Sequence, residues 1–258
     1  MSILTAIENG VLRIVINRPE KKNALTESMY EGLNEAFDTA AAESSVRVIL
    51  IAGEGDSFTA GNDLKDFVDN PPIGIEAPVF QFLRNIAHSP KPIVAAVRGN
   101  AIGIGTTMLL HCDVVYAADN TRFQLPFVNL GLCPEAASSL LLPMVAGYQR
   151  AAEKLLFGEP FTAEDAREMG FVNQILPPDE VVEHAKRRAE KLASLPAPSV
   201  RATKALLKGG SSDSLREATY ARIKDEVAVF STLLDGPAAK EALAAFGEKR
   251  KPDFSSIE

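Results

Sequence analysis

Much of what reactive centres and membrane anchors require is scarce or missing in this 258-residue chain. Its two cysteines, Cys112 and Cys133, both fall in apolar segments. They read as buried free thiols in a reducing compartment rather than a disulfide framework. The three histidines, His88, His111 and His184, lie far apart with no HxxxH, HExxH or CxxC spacing, so no metal site is expected. Positive charge is not in excess: the formal net charge is −7 and the pI is near 5.2, which argues against a nucleic-acid partner. No uninterrupted apolar run reaches the length of a bilayer span. The first residues lack the basic-then-apolar order of a secretory leader, and Ser255-Ser256-Ile257-Glu258 is not an SKL-type address. A soluble cytoplasmic protein is expected. There is also no GxSxG elbow, no GxGxxG followed by an acid, and no P-loop, which weakens serine hydrolysis, hydride transfer and nucleotide hydrolysis as readings.

What the chain does have is enough apolar material, 46%, for a sizeable core without staples. Val11–Ile16 reads as a strand ending at Asn17-Arg18-Pro19. Thr26 is placed to cap a helix running to about Ala42, with Met29, Leu33, Ala36, Phe37 and Ala40 on its apolar face. Val46–Ala52 and Pro92–Val97 read as buried strands. Further strands are expected at Cys112–Ala117, Arg122–Gln124 and Val172–Leu176. Short helices are expected over Asp63–Val68, from Phe80 to His88, and over Thr106–His111. Residues 70–78 form the most loop-like stretch. Beyond Gly147 helices dominate, at about 148–157, 163–169, 179–194 and 198–208. Ser214-Leu215-Arg216-Glu217 is a capping-box pattern opening a long helix with an Ile223, Val227, Phe230, Leu234 stripe, and a last helix covers Pro237–Phe246. Strand-turn-helix units of this kind give an α/β class.

Three stretches carry candidate chemistry. SFTAGNDL (57–64) and GNAIGIGTT (99–107) are turns able to expose backbone N–H groups, and two N–H groups converging on one oxygen make an oxyanion hole. LGLCPEAASSL (130–140) places Glu135 after Pro134 at what reads as the first turn of a helix. Each has a plain structural alternative. Gly103-Ile104-Gly105 suits tight helix-on-sheet packing, Gly61-Asn62 suits an ordinary loop, and Glu135 suits a charge complementing a helix dipole.

Taken together, NRPEKKNAL (17–25), FTAGNDLKDF (58–67), AAVRGNAIGIG (95–105), CDVVYA (112–117), FQLPFVNLGL (123–132) and FGEKRKPDF (246–254) resemble the crotonase (enoyl-CoA hydratase/isomerase) superfamily over nearly the whole chain. The resemblance implies a spiral core over 1–195 holding an acyl-CoA site, and a helical C-terminal oligomerisation region over 196–258. It implies a homotrimer or dimer of trimers acting on an acyl-CoA thioester, with coenzyme A present only as part of the substrate and no separate cofactor. The thioester oxygen would be bound by the N–H groups of Asn62 and Ile104. Hydratases of the superfamily carry two glutamates at positions that are Thr107 and Phe127 here. GNDL with PEAASS resembles the peroxisomal-type Δ3,Δ2-enoyl-CoA isomerase branch, whose base carries over to Glu135.

The implied reaction is a 1,3-proton shift. Glu135 removes a proton from C2 and returns it at C4, through a dienolate held in the oxyanion hole. The dipole of the expected helix favours the Glu135 anion, while Phe127, Leu132 and Leu140 would favour the acid. Thr107, Phe127 and Leu132 are expected in the substrate pocket. Coenzyme A is expected to meet Lys22, Ala24, Ala60, Gly61, Asp63, Leu64, Lys65, Gly103, Phe246 and Lys249. Lys65 and Lys249 also fit solvated surface positions. Other readings of the same resemblance are thioester hydrolysis, weak hydration, or a catalytically silent CoA-binding member.

Overall fold

The computed structural model describes residues 3–72, 74–210 and 214–257. Among these residues nine strands run β1 (Ile3–Glu8), β2 (Val11–Ile16), β3 (Val48–Gly53), β4 (Ile93–Val97), β5 (Asn100–Ile102), β6 (Val114–Ala118), β7 (Arg122–Gln124), β8 (Phe161–Thr162) and β9 (Gln174–Leu176). Six of them form one sheet in the order β1-β2-β3-β4-β6-β9, parallel except for the β1–β2 hairpin. The other three form a small sheet, β5-β7-β8.

Helices are interleaved with the strands in the first half of the chain: α1 (Glu27–Ala42), α2 (Leu64–Asp69), α3 (Pro78–His88), α4 (Ile104–Thr107) and α5 (Ser138–Ala146). The second half is mostly helical: α6 (Tyr148–Phe157), α7 (Ala163–Glu168), α8 (Val181–Ala193), α9 (Ala197–Leu207), α10 (Ser214–Leu234) and α11 (Pro237–Gly247). No described helix is long and apolar enough to cross a membrane.

The central strands are continuously apolar because both faces are covered. Ile49, Ile51, Ala95 and Val97 point to one side, where Met29, Leu33 and Phe37 of α1 and Phe82, Leu83 and Ile86 of α3 complete the main core. Val48, Leu50, Ala52, Val94 and Ala96 point to the other. There α8 presents Val181, Ala185, Ala189 and Ala193, one residue per turn and mostly small, so that its backbone lies close to the sheet. Burying a side chain such as Leu33 or Phe37 contributes roughly 1.5–3 kcal/mol.

Several expected boundaries shift. β1 was not foreseen, and its mostly exposed residues explain why: pairing with β2, not a buried face, defines it. The helix read over Thr106–His111 starts earlier, at Ile104, and tightens into a 3-10 turn over Met108–His111. The helix after Pro134 begins only at Ser138, a difference with consequences for Glu135. Ile73 in the loop read over 70–78, residues 211–213 before α10, and the terminal Glu258 lie outside the described residues.

Candidate active site

Three chain segments are stitched edge to edge to form the floor of a cleft. Thr59 bridges Ala101, Leu25 bridges Asn62, and β5 pairs in parallel with β7. The hydrogen bonds run Ile102 N–H to Thr59 O (3.1 Å), Leu25 N–H to Gly61 O (2.8 Å), Asp63 N–H to Leu25 O (2.8 Å) and Gly103 N–H to Gln124 O (2.9 Å). This bridge uses the groups flanking Asn62, so the Asn62 N–H points away from it. The Ile104 N–H is the first of α4 and has no intrahelical acceptor. Neither amide has a protein partner among the backbone bonds formed.

Glycine is required at both corners. Gly61 has φ +86°, and a Cβ there would lie 2.7 Å from Ile102 O. Gly103 has φ +56° with open space beside it, so here the backbone conformation alone excludes side chains. Gly105 fits the packing alternative instead: its Cβ would meet the Thr59 methyl at 2.6 Å.

Glu135 sits above this floor on a turn, not on a helix. Ala136 and Ala137 both adopt left-handed backbone, φ 58° and 54°, and α5 starts only after them. The expectation of a carboxylate stabilised by its own helix dipole is therefore corrected. The dipole is satisfied from elsewhere: Glu226 of α10 accepts the Ala137 N–H (2.6 Å), the Ser139 N–H (3.1 Å) and the Ser139 hydroxyl (2.5 Å). The turn is pinned further by Ser138 Oγ donating to Glu135 O (2.6 Å) and by a His111 Nε2 hydrogen bond to Ala136 O (2.8 Å). Burial pushes His111 down to about 4, so the ring is neutral and Nε2 is the donor.

Glu135 is 8% exposed. Burial pushes its carboxyl up to about 8, against the hydroxyl of Thr107, which donates to Oε1, and with the nearby Glu226 adding to the rise. Of the two opposing influences read from the sequence, burial wins. Thr107 is fully buried and lies behind Glu135 rather than on the cleft wall. Tyr30 donates its hydroxyl to the Asn62 side chain, fixing the residue whose amide faces the cleft. Burial and the Glu135 charge hold the Tyr30 phenol well above its ordinary value.

The cleft above has a volume of ≈ 580 Å³, within the range of small-molecule sites, about 300–1,000 Å³. Among the expected residues, Glu135, Asn62, Ile104, Ala24, Ala60, Gly61, Asp63, Leu64, Lys65, Gly103, Phe127, Leu132 and Phe246 all line it. Lys22 does not: it adopts φ 50° at the end of a tight turn and contributes its carbonyl to the Ala60 N–H, while Lys21 faces the cleft. Lys249 also lies off the wall, exposed beyond α11. The Asp63 carboxylate is taken up by Arg18 (2.7 Å) and by capping α2. Among the described residues Asp63 and Glu135 are the only carboxylates on the wall, so Glu135 is the one without a cationic partner.

Sequence reading missed Phe67 and Phe230, which meet edge to face at 6.0 Å across the cleft. It also missed Glu226; Asn23, which the resemblance places near coenzyme A, joins Arg18, Glu54 and Ser57 through its side chain. A signal for Glu226 existed: it stands three residues after Ile223 and four before Phe230, a carboxylate on the apolar stripe. Both cysteines are free, and burial pushes their thiols up, Cys112 to about 12 and Cys133 to about 11. Among the described residues no group of His, Cys, Asp or Glu could hold a metal ion.

A family model for enoyl-CoA hydratase/isomerase matches residues 6–257. Enoyl-CoA delta isomerase 2 of Homo sapiens is 34% identical over 214 residues, which cover 80% of this chain and 54% of that protein. The chain thus spans about half the length of that relative. Two Escherichia coli proteins, 1,2-epoxyphenylacetyl-CoA isomerase and 2,3-dehydroadipyl-CoA hydratase, are each 32% identical over 98% of both chains. Among solved structures, an enoyl-CoA hydratase/isomerase from Pseudoalteromonas atlantica is 41% identical with a TM-score of 0.92, covering 99% of this chain and 100% of that one. The crotonase-type fold, mixed α/β with a helical C-terminal region, is shared with that structure.

Proposed function

Since the chain belongs to the enoyl-CoA hydratase/isomerase family, whose relatives run different reactions, we propose that this member is a double-bond isomerase converting a 3-enoyl-CoA thioester to the 2-trans isomer. One observation carries the reading. The cleft offers a single carboxylate free of a cation, Glu135, beside two unpartnered amides, and Thr107 and Phe127 supply no second acid or base.

The mechanism follows from these groups. The thioester oxygen accepts the Asn62 and Ile104 N–H groups, which hold it more strongly as charge develops on it. The Glu135 carboxylate takes a proton from C2, and electrons move into a dienolate. The resulting carboxylic acid returns its proton at C4, and the double bond moves into conjugation with the thioester. A carboxyl raised to about 8 is a stronger base than an ordinary one and holds the proton between the two steps. Phe127 and Leu132 wall the site, favouring direct return of the proton over addition of water.

Lys21 and Lys65 on the cleft wall are suited to the phosphates of coenzyme A. A homotrimer or dimer of trimers accords with the exposed Met144, Val145, Tyr148, Leu156 and Phe157 on α5 and α6, an apolar patch that a second copy would cover. A cytoplasmic location completes the proposal.

The experiment is conversion of 3-hexenoyl-CoA by the wild type and by Glu135→Gln. The variant should lose at least about 3 kcal/mol of transition-state stabilisation, roughly a hundredfold in rate. Full activity in the variant rules out Glu135 as the base. Accumulation of 3-hydroxyacyl-CoA from a 2-enoyl-CoA would favour hydration instead.

A further inference from the structure

The mechanism leaves one buried carboxylate without a task. Glu226 is 6% exposed and lies 89 residues from Ala137 in sequence, yet both its oxygens are committed to the start of α5. Oε2 accepts the Ala137 N–H, and Oε1 accepts the N–H and the hydroxyl of Ser139. Arg222, one turn earlier on α10, donates to the same Ser139 oxygen (3.1 Å). The Ser139 proton is therefore directed at Glu226.

Every one of these contacts is made by a donor. A carboxylate satisfies them all, whereas a neutral side chain there would set one of its own protons against an N–H. Burial raises the Glu226 carboxyl, but the donors and Arg222 oppose it, and the geometry fits the ionised form. The residues held are the ones that need holding. Left-handed backbone costs an alanine roughly 1–2 kcal/mol, and Ala136 and Ala137 adopt it in succession. Relaxing either would swing Glu135 away from the Asn62 and Ile104 amides.

We propose that Glu226 is a positioning residue of the active site: its carboxylate clamps the first amides of α5, locks the left-handed Ala136–Ala137 turn, and thereby aims Glu135 into the cleft. This rests on the reading of Glu135 as the base. Glu226 does not line the main cleft; it borders an adjoining pocket with Glu135, Asn62 and Phe230, and its carboxylate oxygens are spent on the start of α5.

A second consequence is electrostatic. Glu135 is faced by the Thr107 hydroxyl from α4, the Tyr30 phenol from α1, the Cys133 thiol of its own turn and Glu226 from α10, with His111 neutral behind Ala136. Glu226 is the charge in this group, and it favours the protonated form of Glu135.

The test compares full-length wild type, Glu226→Gln, Ser139→Ala and Glu135→Gln on 3-hexenoyl-CoA, reading kcat, KM and the pH profile of kcat/KM. Glu226→Gln keeps size but turns one acceptor into a donor. Its kcat should fall about tenfold to a hundredfold with KM within about twofold, and the acid limb should move to lower pH. Wild-type kcat with an unmoved limb overturns the proposal, as does a loss that appears in KM while the limb stays. If Glu226→Gln does not fold, Ser139→Ala removes one donor and leaves the packing. It should lower kcat several-fold at constant KM, and an unchanged kcat overturns the proposal. Glu135→Gln separates the two levels. If it stays active, the base assignment fails; if it is inactive while Glu226→Gln behaves as wild type, only the clamp fails.

Discussion

Among the described residues the Thr107 hydroxyl is the one group that favours the ionised form of Glu135, and removing it makes a quantitative prediction. Thr107→Val replaces a fully buried hydroxyl by a methyl of similar size. A hydrogen bond to a charged group contributes about 1.5–3 kcal/mol, and 1.36 kcal/mol corresponds to about one pH unit of ionisation. The acid limb of kcat/KM should therefore move up by about one to two pH units. With the carboxyl at about 8, about a tenth of the wild type is ionised at pH 7. In the variant that fraction falls to about a hundredth or a thousandth. The rate at pH 7 should drop about ten- to a hundredfold, and the two enzymes should converge near pH 10. The assay is ultraviolet detection of the conjugated thioester from 3-hexenoyl-CoA between about pH 6 and pH 10. Thr107→Ser, which keeps the donor, should track the wild type. Equal loss at every pH, with the limb in place, would refute the reasoning.

Two further outcomes follow from the same geometry. Folding raises the Glu135 carboxyl from 4.5 to about 8, so its contribution to stability is full below about pH 4.5 and is lost as pH rises through about 8. Glu135→Gln should thus stabilise the fold at alkaline pH, by up to about 4–5 kcal/mol at 1.36 kcal/mol per unit. The check is the difference in Tm between variant and wild type, growing across that window; a flat difference would count against burial as the cause. At the floor, Gly61→Ala meets both positive φ and the Ile102 carbonyl, whereas Gly103→Ala meets only positive φ. Denaturant titration should show Gly61→Ala losing more stability than Gly103→Ala, each by more than about 1 kcal/mol; the reverse order would sink the close-contact argument.

Local pattern carried far along this chain and stopped at tertiary contacts. Val11–Ile16 and Arg122–Gln124 were legible to the residue because alternation or β-branched runs fix them. The stripe of α10 was legible too, with Ile223 and Phe230 buried. The turn at Pro134-Glu135 was not, because nothing in PEAASS signals two left-handed alanines: the donors and acceptors that hold them come from His111 and Glu226. That Lys21 rather than Lys22 lines the cleft was not legible for a related reason. Lys22 has left-handed backbone, φ 50°, and its carbonyl accepts the Ala60 N–H. Which residues meet in the cleft is set by bridges such as Leu25 to Asn62 and Thr59 to Ala101, which no window of sequence contains.

The Phe67–Phe230 contact has a consequence for when the protein can first work. Phe67 belongs to a segment that the parallel strands organise early in the chain, whereas Phe230 arrives with α10 near its end. Closing a connection of that length is slow compared with forming local helices. During synthesis the floor with its two amides can assemble long before the opposite wall exists. The Glu135 turn must also wait for its partner on α10. A nascent chain would expose an apolar half-cleft with a misaimed carboxylate, a species open to aggregation and chaperone capture, and acquire activity only in the last step of folding.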